Sequence, residues 1–106
     1  MNVNQLTRQH LAKQGFVFDN ADSFNAKSQR RKDLFGFIDF VALGPGRSVA
    51  VQTTTYKHRA EPVRKIKEER RENALAWLAA GNQIVVYGWK DGEPHEVWIT
   101  SRDFES

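Results

Sequence analysis

One carboxylate in this chain stands where a carboxylate is costly. Asp39 lies among Phe37, Ile38, Phe40 and Val41, and an ionised acid in apolar surroundings needs a partner or a cation. Downstream, Val49-Ala50-Val51 runs into Gln52-Thr53-Thr54, where a buried sheet would more cheaply hold valine or leucine. Side chains alternate along a strand, so Gln52 and Thr54 share one face and Val49, Val51 and Thr53 the other. Asp39 and Gln52 lie about equally far from Pro45. A hairpin turning there sets them opposite each other, with Cβ atoms about 4.5–5.5 Å apart. A carboxylate and an amide oxygen then converge on a hard cation, and the backbone carbonyl of Thr53 adds a third oxygen. Mg²⁺ (or Mn²⁺) suits such a set, since it keeps several waters and shares phosphate oxygens. The chemistry implied is phosphodiester hydrolysis by a metal-activated water.

The elements that must position these residues follow from pattern. Asn4–Gln14 reads as a helix with Asn4 as cap and Gly15 as stop. Phe16-Val17-Phe18 is a short extended piece. Asn20–Ser28, rich in Asn, Ser, Asp and Lys, reads as a surface loop. Leu34–Leu43, rich in Phe, Ile and Val, is a strand. Gly44-Pro45-Gly46-Arg47 is a turn, and Ser48–Thr54 is the antiparallel partner. That turn lacks the Lys-Ser/Thr and following helix of a phosphate-binding loop.

Glu61–Ala80 reads as one long helix. Val63, Ile66, Ala74, Trp77 and Leu78 recur on one face, with Pro62 in the first turn and Gly81 at the end. Arg70 falls near that apolar stripe and is expected to snorkel or to point into a site. Gln83–Trp89 is a strand buried on both faces. Lys90-Asp91-Gly92-Glu93 is a turn, and Glu96–Thr100 a final strand. A hairpin, a crossover helix and a buried strand make a right-handed βαβ unit, with Ser48–Thr54 parallel to Gln83–Trp89.

Composition bounds the class. The 106 residues fit one domain, 1–106, and 40% hydrophobic with 27% charged residues is an ordinary soluble balance. No apolar run nears the roughly 18–20 residues of a membrane span, and the N-terminus lacks a signal-peptide core. With no cysteine, disulfides, thiolate metal sites and a cysteine nucleophile are excluded, and a cytoplasmic location is the default. His10, His58 and His95 are too scattered for a zinc site. Trp77, Trp89 and Trp98 read as core or dimer contacts. Net charge is +3 and the pI about 9.5. The cations cluster at Arg30-Arg31-Lys32 and from Lys57 to Arg71, a placement that suits a polyanion.

On these residues the chain resembles the PD-(D/E)xK nuclease superfamily. The nearest likeness is to its small members related to Holliday-junction resolvases, common in phage and bacteria. Gly36-x-x-Asp39 resembles the second motif of that group, and Gln52-x-Thr54 stands where it carries (E/Q)xK. The resemblance implies an α/β, restriction-endonuclease-like core: a mixed β-sheet flanked by helices, in α-β-β-β-α-β order, here with an additional C-terminal strand. It implies Asp39 and Gln52 as metal ligands, a bacterial or phage-infected host cell, and a homodimer. It also implies a lysine at position 54, to orient the attacking water and stabilise developing charge. This chain has Thr54, and Lys57, just past the strand, and Lys65, on the following helix, are the candidates to supply that charge instead. The acid that the first helix often contributes is missing from Asn4–Gln14, and Asp19 and Asp22 lie beyond it.

The expectation is a Mg²⁺-dependent endonuclease acting on junction or flap DNA. Arg30, Arg31, Lys32, Arg59, Arg64 and Arg70 would hold the phosphate backbone, and Tyr56 would stack on an unpaired base. Two rivals stand beside it. One is a nuclease-fold module that binds DNA without cutting it, and the other is a protein-interaction regulator.

Overall fold

The computed structural model of the protein describes residues 2–25 and 30–105. The first helix, α1 (Val3–Lys13), is capped by Asn2, not Asn4. Asn2 is extended, and its side chain accepts the backbone N–H of Asn4 at 2.9 Å, satisfying an orphan donor of the first turn. Asn4 already lies inside the helix. Gly15 follows at φ +83.

Five strands form one mixed sheet in the order β1-β4-β5-β6-β7. They are β1 (Val17–Asn20), β4 (Phe40–Gly44), β5 (Arg47–Thr55), β6 (Gln83–Lys90) and β7 (Glu93–Ile99). Neighbours are antiparallel except β5 and β6, which run parallel as the crossover required. Two short strands, β2 (Asp22–Asn25) and β3 (Arg30–Asp33), make a separate hairpin between β1 and β4. The expected loop Asn20–Ser28 is therefore strand over 22–25, while 26–28 lie outside the described residues. Ladder bonds there run along a polar sequence that carries no apolar alternation.

The turns obey local chemistry. Pro45-Gly46 joins β4 to β5 with Gly46 at φ +68, the pattern of a type II turn. Asp91-Gly92 joins β6 to β7 with both φ positive, +52 and +76, as a type I′ hairpin requires.

Two further expectations are corrected. Leu34–Leu43 is strand only from Phe40. Phe35 and Gly36 adopt φ of +53 and +81, a left-handed pair that no strand accommodates. Phe37 and Ile38 then both enter one apolar cluster from this turn instead of alternating. The long helix is two helices, α2 (Ala60–Glu68) and α3 (Arg71–Ala79). At the break the N–H groups of Glu69 and Arg70 both reach the Lys65 carbonyl, at 2.8 and 2.9 Å. A 3₁₀ turn, Tyr56–His58, leads into α2.

The sheet separates two cores. Ile66 of α2 and Ala74 of α3 pack with Phe37, Ile38, Ala50, Ile84 and Val86. On the other face Leu11 of α1 packs with Phe40, Val49, Val51, Val85, Tyr87 and Trp89. Burying a side chain of this size contributes about 1.5–3 kcal/mol, so the sheet is clamped from both sides. Among the described residues no helix is long and apolar enough to cross a membrane.

Polar groups also fasten α1 to the sheet. The Thr7 hydroxyl donates to the Val3 carbonyl at 2.7 Å. It therefore accepts from the Thr53 hydroxyl 2.8 Å away, and Trp89 Nε1–H is shared between the two oxygens at 3.0 Å each. Nearby, burial pushes the Tyr87 phenol up to about 12, helped by the charge of Glu96. The folded state therefore holds the proton longer than the unfolded chain, whose tyrosine titrates near 10. Stability is full below about pH 10 and falls as pH rises toward about 12. Denaturant titrations across that window should show the fall in wild type and its attenuation in Tyr87→Phe; equal slopes would refute the assignment.

Candidate active site

β4 and β5 bring the cluster together. Their ladder pairs Phe40 with Val51, so the next positions outward are Asp39 and Gln52, as the spacing about Pro45 predicts. The chain bends at Asp39 rather than continuing the strand. Asp39 N–H donates to the Val51 carbonyl at 3.0 Å, and Ala21 N–H donates to the Asp39 carbonyl at 2.8 Å. The carboxylate then turns onto β5. Its Oδ2 accepts Gln52 Nε2 at 3.2 Å and Thr53 N–H at 3.1 Å. In an extended strand a residue's N–H and C=O leave on one edge, so the Thr53 carbonyl lies on the Asp39 side too.

The amide of Gln52 is polarised by this arrangement. Turning it over would set its oxygen against a carboxylate, so the NH₂ faces Asp39. Its Oε1 is buried and has no hydrogen-bond partner among the described residues. A buried acceptor left unmet costs about 1–3 kcal/mol, a cost that would be relieved if the amide turned Oε1 onto a cation at Asp39. With its NH₂ on Asp39, Gln52 directs Oε1 away from the carboxylate, so Asp39, Gln52 Oε1 and the Thr53 carbonyl would form the all-oxygen set that suits Mg²⁺ or Mn²⁺ only if the amide turned over as a cation reached Asp39. Among the described residues no three His, Cys, Asp or Glu side chains gather.

Thr54 is half-buried on the Gln52 face, two residues along. The two lysines considered in its place lie in different cavities. Lys65, on α2, lines a cavity of about 790 Å³ with Ala21, Lys32, Gly36 and Arg70. Ala21 is the residue bonded to the Asp39 backbone, and Gly36 begins the turn leading to it. Lys57 lines a separate cavity of about 610 Å³ with Arg59, Arg64 and Lys67. Neither lining includes Asp39, Gln52 or Thr54; the Lys65 cavity is tied to Asp39 through the backbone of Ala21, which lines it and donates to the Asp39 carbonyl. Asp19 is exposed on the edge strand β1 and its Oδ1 accepts the Asn20 N–H.

The cations expected on phosphate are placed unequally. Lys32 is exposed at the Lys65 cavity, while the side chains of Arg30 and Arg31 lie outside what is described. Arg64 is already engaged by carboxylates, with Nη2 at 2.6 Å from Glu61 and 2.7 Å from Glu69, and Nη1 at 3.7 Å from Glu68. That pairing holds the Glu61 carboxyl below its usual range. Arg59 covers the Tyr56 ring at 3.6 Å and donates to the Tyr56 carbonyl at 2.8 Å. His95 meets the same ring with centroids 4.5 Å apart. Tyr56 is thus committed to partners of its own rather than held open for a base.

A clamp that the residue pattern did not reveal holds the turn before Asp39. Arg70 Nε donates to the Gly36 carbonyl at 3.2 Å, and Asn73 Nδ2 to the Phe35 carbonyl at 2.9 Å. Arg70 breaks the helix and reaches across to do this. A Cβ at Gly36 would fall 2.4 Å from Arg70 Nε, and φ is +81 there. Gly36→Ala should cost about 1–3 kcal/mol, lowering Tm by about 5–15 °C. Gly15→Ala is the control, with positive φ but open space around it. An equal loss at the two positions would show that the Arg70 contact carries no weight.

In comparison with known proteins, no protein-family model matches this chain, and no curated protein matches it.

Proposed function

We propose that the chain is a metal-dependent DNA endonuclease that hydrolyses phosphodiester bonds in branched DNA such as junctions or flaps. The observation that carries this reading is the unpartnered, buried Oε1 of Gln52, on the side chain that donates to Asp39. Asp39, Gln52 and the Thr53 carbonyl would hold Mg²⁺ or Mn²⁺. Such an ion supplies charge neutralisation at the phosphate and an activated water at neutral pH. Lys65 supplies the positive charge that Thr54 lacks, and Lys32 and Arg70 hold the neighbouring phosphates. The order of elements supports the reading: a helix, an antiparallel β1-β4-β5 meander, a crossover and the parallel strand β6 follow the order of the PD-(D/E)xK core. The β2–β3 hairpin is an insertion and β7 an addition. A two-fold homodimer would double the small DNA footprint of 106 residues, with Trp98, 39% exposed on the edge strand β7, at one candidate interface.

Thr54 favours one second reading, a module of the same fold that binds DNA without cutting it. Cleavage of branched DNA and relaxation of plasmid, each with Mg²⁺, Mn²⁺ or EDTA, separate the two. Metal-dependent cutting establishes the enzyme. Salt-sensitive binding with no cutting establishes the module. Neither binding nor cutting rejects both and leaves a protein-interaction role.

A further inference from the structure

The turn before Asp39 does more than lead into β4. Phe35 adopts φ +53, which costs a non-glycine residue on the order of 1 kcal/mol. Its ring is nonetheless 52% exposed, so burial does not offset that strain. The conformation is instead enforced from behind, by Asn73 on the Phe35 carbonyl and Arg70 on the next one. The ring leans on Trp77 with centroids 6.3 Å apart, which fixes its direction and leaves much of it open. It lines the 790 Å³ cavity that, among the described residues, also holds Lys32, Lys65 and Arg70 against one carboxylate, Asp33. That volume is within the roughly 300–1,000 Å³ of small-molecule sites.

An exposed aromatic ring beside three cations matches the two halves of a nucleotide. Bases stack on aromatic side chains irrespective of sequence, and cations track the phosphates. In a duplex the faces of a base are covered by its neighbours, so only an unpaired base can offer one to Phe35. We infer that this cavity takes an unpaired nucleotide of the DNA strand, its base against Phe35 and its phosphate among Lys32, Lys65 and Arg70. This rests on the nuclease reading and narrows the substrate to DNA with a single-stranded arm, as in a flap or splayed end. Tyr56, the aromatic that the sequence nominated for stacking, is occupied by Arg59 and His95. Phe35 takes that role.

The test is equilibrium binding in EDTA, where no cutting competes. Fluorescence anisotropy compares a duplex carrying a single-stranded arm with the fully paired duplex of the same length. A 2-aminopurine at the first unpaired position reports stacking by quenching. The armed duplex should bind about tenfold or more tightly than the paired one, within the range of one base–aromatic stack, and quench on binding. Phe35→Gly suits the left-handed backbone and deletes the ring; it should abolish both the preference and the quenching. Phe35→Tyr keeps a ring and should retain both. Lys32→Ala should lower the salt dependence of binding by about one phosphate contact. Equal affinity for the two DNAs, or a preference that survives Phe35→Gly, overturns the inference. Cutting in Mg²⁺ without the preference rejects the cavity's role and leaves the nuclease reading standing. The preference without cutting rejects the nuclease reading and upholds the cavity. No binding to either DNA rejects both.

Discussion

Asp39→Asn is expected to abolish metal-dependent cleavage and keep the fold, whereas Asp39→Ala is expected to lose both cleavage and stability. The difference follows from where the hydrogen bonds fall. Gln52 Nε2 and Thr53 N–H both reach one oxygen, Oδ2. A single amide oxygen in asparagine can accept both, so the turn from Ile38 into β4 survives. Asparagine has no charge, and a neutral pair of amides holds a divalent cation poorly. Residues merely supporting a metal ligand cost about 10–100-fold when changed, so losing the acid that anchors this cluster should cost on the order of a hundredfold or more. Alanine leaves the Thr53 N–H and the Gln52 amide unmet as well, a loss of about 1–3 kcal/mol, allowing for the half-exposure of Asp39. Urea unfolding and single-turnover cleavage, run on both variants, measure the two effects separately. Full cutting by Asp39→Asn would remove Asp39 from the metal site.

The pairing behind this argument was legible in the sequence because it is local. A two-residue turn at Pro45-Gly46 fixes the register of β4 against β5, and register puts residues 39 and 52 opposite each other. Alternation then sorts Gln52 and Thr54 from Thr53, whose hydroxyl faces Thr7 and Trp89. The parallel β5–β6 pair and the Asp91-Gly92 turn were equally readable from length and turn residues. What escaped depends on contacts between distant segments. The helix breaks at Arg70 without glycine or proline, and Arg70 there reaches the Gly36 carbonyl 34 residues away. The same contact, with Asn73 on Phe35, turns an apolar run that reads as strand into a left-handed corner. The β2–β3 hairpin escaped because, Phe24 apart, its residues are polar and show no apolar alternation.

Lys65→Ala is the second large expected loss. If Lys65 stabilises charge that develops only at the scissile phosphate, its removal should lower single-turnover cleavage by about 10²–10³-fold, the effect of deleting one donor aimed at such charge. DNA affinity should fall far less, by the weight of one phosphate contact. Lys57→Ala should show the opposite balance, because Lys57 lines its cavity with Arg59, Arg64 and Lys67 and shares no lining residue with the cavity that Ala21 ties to the Asp39 backbone. It should weaken binding modestly and leave the rate of bound substrate alone. The decisive variant restores the missing group. Thr54 lies on the Gln52 face two residues along, so Thr54→Lys sets an amine on the face that carries Gln52. In a Lys65→Ala background it should recover a substantial part of the lost rate without recovering the Lys65 share of affinity. A rate unchanged in Lys65→Ala would take Lys65 out of the chemistry. A rate unrecovered by Thr54→Lys, with the protein folded, would mean that the charge acts only from the helix side of the site.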